Sequence, residues 1–577
     1  MTDQLHPYWG LVKDHYDSTY VYDIQDAHQS VIFSPCVADA LQADVAETVK
    51  KLCALGEGSV KVDWDHDPDY ITLSMLDSVV QHMSFPGSLP TLCNPVAIHG
   101  CISLMQSIKR FGRSSPFSYE YGHLCFRILV VALDYGTLLC SGRYDSWAEE
   151  VDQPCDYLLQ EGHVPVLSRT VADAIVDSMK DGNHFSPKYF TPTPWTDDYT
   201  GPLVATDYLM ILAKTLADDR KHFLIFLRSN YSLRLSGMLY IMWEFMRGIP
   251  IGSEDRHFVQ TFAQLYHRAL FFAPDSPFGQ GEAHQSILKP YAERKTTKYF
   301  FDAEDSQLVF HAYADRLMVL PGTGLHSRAS CTLAIEMLQY IQPLATDGCE
   351  DVLPRAIRAT IQCMWGDLVA GKSSLAERVS HFHQLLHAIE HWIGFLAEGV
   401  KHARDRLIEG IEAVFEEELV NLVMRMLLEI CVTNKKSPKQ AVAETLIHAV
   451  IATFRAFKKV VSSAYLQQRF HQSIFNWVTL LVNSHSTVAL VTHPSRWAIC
   501  LSFLSKIVNI VGGDEGMFSE RCGNPRCPFP TKVTYADSSS LYCSRECYAR
   551  HWERNSCEYA PRGLLLAERA RHFYNPM

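Results

Sequence analysis

Most of the chain before residue 515 alternates apolar and polar residues with the period of amphipathic helices. In residues 415–430 the apolar side chains recur every three or four positions, which places them on one face of a helix. The apolar set is Phe415, Leu419, Leu422, Val423, Met426, Leu427 and Ile430. The opposite face carries Glu416, Glu417, Asn421 and Arg425. The pattern predicts one helix along this stretch.

The polar segment 434–438 interrupts this pattern and predicts a turn between two helices. Ser437 is suited to cap a helix N-terminus, and Pro438 to occupy its first position. A second apolar stripe follows, at Val442, Leu446, Ala449, Val450, Phe454 and Phe457. Two such helices form a helical hairpin, and residues 98–140 and 203–248 have similar patterns. We therefore expect a mainly α fold, with an irregular body of stacked helices and no fixed sequence repeat.

Two long stretches interrupt the helical pattern, at residues 181–202 and 274–305. Stretches of this kind are candidates for domain boundaries or surface loops. The predicted organisation is a helical region at 1–200, a second helical region at 201–515, a small zinc finger at 519–560 and a C-terminal tail at 561–577.

The composition favours a large folded core and argues against some binding functions. Of the 577 residues, 47% are hydrophobic and 20% are charged, so the chain can bury a sizeable core. The 52 Lys and Arg residues against 64 Asp and Glu residues give a net charge of −12. This balance disfavours broad electrostatic binding to nucleic acid or to an anionic membrane.

The sequence predicts an intracellular protein, either cytoplasmic or nuclear. Its N-terminus lacks the basic start and apolar core of a signal peptide, and the longest candidate apolar run, residues 128–133, ends at Asp134. The 17 cysteines are odd in number, and the twelve between Cys36 and Cys500 are spaced irregularly. Such a distribution is typical of free thiols in a reducing compartment rather than of disulfides.

Residues 366–373 match the phosphate-loop pattern of a glycine, four residues and then Gly-Lys-Ser. A strand should precede such a loop, but residues 356–362 have a helical pattern. The segment is therefore predicted to be a junction between two helices, with Ser373 or Ser374 as a cap. No nucleotide site is expected.

Three histidines, His383, His387 and His391, recur every four residues and would share one face of a helix. Such a face could bind a metal ion. The apolar residues around them form a different stripe, at Phe382, Leu386, Ile389 and Ile393. We therefore expect these histidines to face solvent.

The five remaining cysteines are crowded into residues 522–557, and four of them have the spacing of zinc ligands. Cys522 and Cys527 are separated by four residues, Cys543 and Cys547 by three, and fifteen residues lie between the pairs. Two short cysteine pairs at this separation can converge on one tetrahedral site. We therefore predict that these four thiolates bind Zn²⁺.

The segment Tyr542-Cys543-Ser544-Arg545-Glu546-Cys547, followed by Trp552, closely resembles the distal half of a MYND-type zinc finger. The resemblance covers about residues 519–558 and says nothing about the helical body. In that family eight ligands bind two zinc ions in an interleaved arrangement. By position, the pair Cys522 and Cys527 corresponds to the family's first cysteine pair, and Cys543 and Cys547 to its third.

The chain departs from the family pattern at the ligands of the second zinc. Residues 532–541 contain no cysteine or histidine where the second pair is expected. Cys557 stands near the last ligand position at a shortened spacing, and His551 is nearby but out of register. The resemblance therefore implies a degenerate MYND-like finger that binds one zinc ion.

The resemblance implies a zinc-binding adaptor or scaffold, because MYND fingers are generally protein-interaction modules and often bind short proline-containing peptides. The expected partner is a protein, with a proline-containing peptide as the candidate, and no catalytic residue is predicted. Residues 519–577 carry nine Lys and Arg against six Asp and Glu, and zinc with four thiolates adds −2. The remaining charge of +1 disfavours nucleic-acid binding. The sequence does not indicate an oligomeric state.

The alternative is an enzyme with the finger as an accessory module. MYND fingers also occur in SET-type methyltransferases, where catalytic motifs follow the finger. Here only 20 residues follow Cys557, and Asn183-His184-Phe185-Ser186 is not the cofactor motif of those enzymes. An unrecognised enzyme remains open, because catalytic triads need no sequence adjacency.

We predict that residues 515–577 bind one zinc ion per chain rather than two. Four thiolates complete one tetrahedral shell, whereas His551 and Cys557 alone cannot complete a second. Metal analysis should show that Cys543→Ser abolishes binding and that Cys557→Ser retains most of it. Two tightly bound zinc ions would contradict the one-zinc interpretation.

Overall fold

The structure is a computed structural model, and 81% of the residues that it describes are helical while few are in strands, which confirms the predicted mainly α fold. It describes residues 5–13, 35–61, 63–64, 67, 70–83, 89–152, 163–181, 189–191, 200–229, 235–249, 256–272, 302–318, 329–371, 373–398, 403–432, 438–462, 465–470, 503, 505–507, 509–511, 535–537 and 540–542. These residues fall into two compact units, Met1–Leu333 and Ala334–Met577. The division lies in the first turn of the continuous helix Cys331–Ile341, so we describe that helix with the second unit.

The first unit contains twelve described helices and two short strand pairs. The helices are α1 (Pro35–Gly56), α2 (Leu73–His82), α3 (Leu89–Leu92), α4 (Pro95–Ser107), α5 (Glu120–Ser141), α6 (Tyr144–Asp152), α7 (His163–Asp181), α8 (Thr206–Asp218), α9 (Arg220–Ser229), α10 (Ser236–Gly248), α11 (Arg256–Phe272) and α12 (Ala303–Leu317). The antiparallel pairs are β1 (Leu5–His6) with β2 (Gly10–Leu11), and β3 (Lys109–Arg110) with β4 (Arg113–Ser114).

Helix α5 is the centre of the first unit and packs against α2, α4, α7 and α10. Among the described residues it is the one helix long and apolar enough to cross a membrane, but 83% of its most apolar window is buried inside the protein. A helix that is hydrophobic on all sides is expected when other helices surround it. The apolar character of α5 therefore reflects its place in the core.

A buried carboxylate joins α5 to two neighbouring helices. Asp134 is fully buried, and it accepts hydrogen bonds from Ser168 Oγ at 2.6 Å and from the Gly237 N–H at 2.9 Å. Gly237 lies in the first turn of α10, where the unpaired N–H groups and the helix dipole favour a negative charge. These hydrogen bonds allow the carboxylate to be buried within the helix. The apolar run that ends at Asp134 in the sequence is thus one part of the longer helix Glu120–Ser141.

Two further buried aspartates connect other helices of this unit. Arg268 of α11 donates from Nη2 to both carboxylate oxygens of Asp305 at 2.8 Å, and both side chains are fully buried. Arg220 Nε donates to Asp305 Oδ2 at 2.7 Å. Asp219, between α8 and α9, accepts from Ser115 Oγ and from the Phe117 N–H, both at 2.7 Å. Removal of one partner of such a buried pair would leave an uncompensated charge.

The second unit contains six described helices. They are α13 (Cys331–Ile341), α14 (Leu353–Ala370), α15 (Leu375–Glu398), α16 (Ala403–Glu416), α17 (Leu419–Val432) and α18 (Pro438–Val460). Helix α15 packs against α16 and α18, and α14 packs against α16. Pro438 is the first residue of α18, as predicted, whereas Ser437 lies outside the described residues.

The single helix predicted over residues 415–430 is wrong, because α16 ends at Glu416 and α17 begins at Leu419. Between them Glu418 has a left-handed backbone with φ of 54°. Side chains of α14 stabilise the break: Trp365 Nε1 donates to the Glu417 carbonyl at 2.8 Å, and Gln362 Nε2 to the Glu417 carboxylate at 3.0 Å. Periodicity missed the break because it interrupts the backbone for only two residues.

Near the C-terminus the structure describes one antiparallel hairpin, formed by β5 (Tyr535–Asp537) and β6 (Ser540–Tyr542). Its register pairs Tyr535 with Tyr542 and Asp537 with Ser540. The connection between the strands has two residues, a length typical of tight hairpins.

We predict that Gly237→Ala destabilises the first unit by about 1–3 kcal/mol, because a Cβ there would overpack the core. That atom would lie 2.7 Å from Asp134 Oδ1 and 2.9 Å from Thr137 Oγ1. Gly248→Ala, at the other end of the same helix, is the matched control, since a Cβ there meets nothing within 4 Å. Urea unfolding followed by circular dichroism should show the loss for Gly237→Ala and none for Gly248→Ala.

Candidate metal centre

The four predicted zinc ligands, Cys522, Cys527, Cys543 and Cys547, lie outside the described residues. The structure describes the hairpin between the two pairs, and its second strand ends at Tyr542, directly before Cys543. His551, Trp552 and Cys557 are also outside the described part of the chain. Zinc binding by the finger therefore stays a prediction.

The described residues contain a different group that could hold a metal ion: Cys331, Asp367 and His381. Each residue offers one ligand atom, and these three atoms all lie within 4.8 Å of one another. The side chains come from three successive helices, α13, α14 and α15. No motif in the sequence predicts this group.

Cys331 is held at the first position of α13 by a helix cap. Ser330 Oγ accepts a hydrogen bond from the Leu333 N–H at 3.2 Å, which satisfies one of the free N–H groups of the first turn. Cys331 is 5% exposed. The N-terminal turn of a helix favours negative charge, so this position suits a thiolate.

Asp367 lies in the last turn of α14, and its carboxylate is only partly satisfied. Ser373 Oγ donates to Asp367 Oδ1 at 2.8 Å, while Oδ2 is buried and has no hydrogen-bond partner. The side chain is 9% exposed. A buried carboxylate at the negative end of a helix dipole is unfavourable without a cation. The unpaired Oδ2 of Asp367 therefore makes this group a candidate site for a cation.

His381 lies near the start of α15, whose first turn is fixed by a reciprocal cap. The Ser374 N–H donates to Glu377 Oε2 at 2.7 Å, and the Glu377 N–H donates to Ser374 Oγ at 3.3 Å. His381 is 7% exposed, and its Nδ1 is buried without a hydrogen-bond partner. Burial lowers the pKa of His381, although the charges of Asp367 and Glu377 act to raise it. The neutral imidazole is the form that binds metals.

A buried cation close by along α15 is already engaged by another carboxylate. Arg378 donates to both oxygens of Glu429, at 2.7 Å and 2.6 Å, in a two-pronged ion pair that joins α15 to α17. Such bidentate pairs are strong and geometrically specific. The charge of Arg378 is therefore compensated by Glu429 rather than by Asp367.

The exposed histidines and the buried one are on the same helix. His383, His387 and His391 are all exposed, which confirms the prediction that they face solvent. His381 precedes them by two residues and falls in register with the buried Leu385 and Trp392. The sequence signal that could have identified His381 is its register with the apolar residues Leu385 and Trp392, because that register directs the ring into the interior.

The Gly-Lys-Ser segment joins two helices, as predicted. Helix α14 precedes it, and Gly371 ends that helix with a left-handed φ of 62° and an N–H bonded to the Asp367 carbonyl at 2.9 Å. Ser374 is the cap of the next helix. Lys372 lies outside the described residues. The segment's described role is to connect Asp367 to the helix that carries His381.

No known protein family matches this chain, and no curated protein matches it either.

We predict that Ser374→Ala lowers the free energy of unfolding by about 1 kcal/mol, because the cap of α15 is lost. Lys372→Ala is the matched control in the same connection and should leave the stability unchanged. Denaturant unfolding measures both variants.

We also predict that neither wild type nor Lys372→Ala binds ATP in a calorimetric titration. ATP binding by wild type that Lys372→Ala abolishes would contradict the interpretation of residues 371–374 as a simple turn.

Proposed function

We propose that this chain is a zinc-binding protein-interaction scaffold, in which a one-zinc MYND-like finger at residues 519–560 binds a protein partner. The observation that carries the proposal is the arrangement of two cysteine pairs on either side of an antiparallel hairpin. One pair is Cys522 and Cys527, and the other is Cys543 and Cys547.

The hairpin supports convergence of the two pairs because it reverses the direction of the chain. Tyr535 is paired with Tyr542, so the chain enters and leaves the hairpin at the same end. Cys543 directly follows Tyr542, and Cys527 precedes Tyr535 by eight residues. Short cysteine pairs that meet in this way are typical of structural zinc sites.

Zinc is the metal that the donor set favours. Four thiolates form the tetrahedral sulfur shell typical of structural zinc, and with Zn²⁺ they carry a net charge of −2. Arg545 and Arg550 provide compensating positive charge in the same short segment. A segment of this length has little core of its own, so metal binding supplies much of its folding free energy.

The partner is a protein segment that docks on aromatic side chains around the zinc. Tyr548 and Trp552 are four residues apart after Cys547, so on a short helix they share a face. With Phe529 they would form an apolar groove suited to a proline-containing segment. Tyr548 stands where peptide-binding members of the family carry Gln, so the exact peptide preference of the family does not carry over.

The proposal predicts that Trp552→Ala loses partner binding while it keeps its zinc. Partner capture with full-length wild type, Trp552→Ala and Cys543→Ser separates docking from folding when zinc content is measured for each. Cys543→Ser should lose both the zinc and the partner. Phe573→Ala, an aromatic substitution outside the finger, is the control and should behave as wild type.

Two outcomes would contradict the scaffold proposal. If capture of every partner is unaffected by Cys543→Ser, the finger is not the docking module. If Trp552→Ala loses zinc together with the partner, Trp552 belongs to the core of the finger and the proposed groove is wrong.

A further inference from the structure

We propose that Cys331, Asp367 and His381 bind one Zn²⁺ ion inside the helical body, at a second metal site that is independent of the C-terminal finger. The ion would join the first turn of α13 to the last turn of α14 and to α15. Three observations support the site: the proximity of the ligand atoms, the two buried polar atoms without partners, and the chemistry of the donors.

Two buried polar atoms of this group support a bound cation. Asp367 Oδ2 and His381 Nδ1 are both buried and both lack a hydrogen-bond partner. An unsatisfied buried polar group destabilises the fold, and an unpaired buried carboxylate does so strongly. One carboxylate oxygen of Asp367, one ring nitrogen of His381 and the Cys331 sulfur lie within 4.8 Å of one another, so one cation at this point would compensate both residues.

The donor set and its geometry favour zinc over other cations. A thiolate and an imidazole exclude the hard cations Ca²⁺ and Mg²⁺, which prefer oxygen ligands, and suit Zn²⁺. Ligands about 2.0–2.3 Å from a tetrahedral zinc are about 3.3–3.8 Å apart. The observed limit of 4.8 Å therefore requires only a small inward movement of the side chains when the ion binds.

The charges of the proposed site also balance. A thiolate and a carboxylate together carry −2, and the imidazole is neutral, so the three ligands neutralise a divalent ion. An interior site needs this neutrality because an uncompensated charge is costly in a low-dielectric environment. Ser373 holds Asp367 Oδ1 at 2.8 Å, which leaves Oδ2 free to bind the ion and fixes the plane of the carboxylate.

The burial of the ligands indicates a structural role for the ion. Cys331, Asp367 and His381 are 5%, 9% and 7% exposed. Three protein ligands leave a fourth position for water, and the burial of all three favours a structural ion over a catalytic one. Because each ligand comes from a different helix, the bound ion would hold three elements of the second unit together.

The test uses the full-length chain with the finger disabled by Cys543→Ser. In this background we expect one zinc ion per chain after loading with zinc and removal of the excess. Adding Asp367→Asn or His381→Ala should remove that ion, whereas His383→Ala, an exposed position on the same helix, should retain it. Cobalt in place of zinc should show a thiolate charge-transfer band that Cys331→Ser abolishes.

A stability measurement separates loss of the metal from loss of the fold. With zinc at one hundred times its dissociation constant, the thermal midpoint of the Cys543→Ser protein should exceed that in chelator by about 5–10 °C. Asp367→Asn should abolish this difference. In chelator Asp367→Asn should be at least as stable as its parent, because it replaces a buried unpaired carboxylate with a neutral amide.

The outcomes distinguish this site from the proposed finger. No zinc in the Cys543→Ser background, with zinc present in wild type, would overturn the interior site and leave the finger intact. Zinc that persists through all three ligand substitutions would also overturn it. Zinc in wild type that Cys543→Ser does not affect and Asp367→Asn removes would support the interior site and contradict the finger. Equal destabilisation by Asp367→Asn with zinc and in chelator would show that Asp367 has only a packing role.

Discussion

A carboxylate buried among apolar helices must find hydrogen-bond donors or a cation, and this constraint determines how the helices of this protein meet. Asp134 finds its donors in Ser168 and in the first turn of α10. Asp219 finds them in Ser115 and Phe117. In each case one side chain joins segments that are distant in sequence, because an interior charge is stable only where several partners converge. These hydrogen bonds are satisfied only when the segments that carry the partners lie next to the aspartate.

Asp367 is under the same constraint but has only one donor. Ser373 satisfies one oxygen and the other has no hydrogen-bond partner. Asp305, by contrast, accepts hydrogen bonds from two cationic side chains, Arg268 and Arg220, whereas Asp367 has no cationic hydrogen-bond partner among the described residues. A buried charge that protein groups leave half satisfied supports the proposal that a cation binds there, and the nearby thiol and imidazole are donors that suit a transition metal.

The two metal sites we propose would stabilise the chain in different ways. The helical body is built on a large buried core, so an interior ion would add rigidity to a fold that apolar burial already supports. The proposed finger is short and would depend on its metal for folding. If the chain is the scaffold that we propose, its docking module would depend on metal while the helical body would stay folded when the metal is lost.

The sequence by itself determined the mainly α fold, the start of α18 at Pro438 and the exposed face at His383, because periodicity and caps are local properties of the chain. It also predicts four zinc ligands, Cys522, Cys527, Cys543 and Cys547, from their spacing alone, and these lie outside the described residues. Only the tertiary structure decided the break at Glu418, which depends on side chains of α14. The interior group likewise required the tertiary structure: Cys331, Asp367 and His381 form no short ligand pairs in the sequence, and only the packing of three helices brings their ligand atoms together.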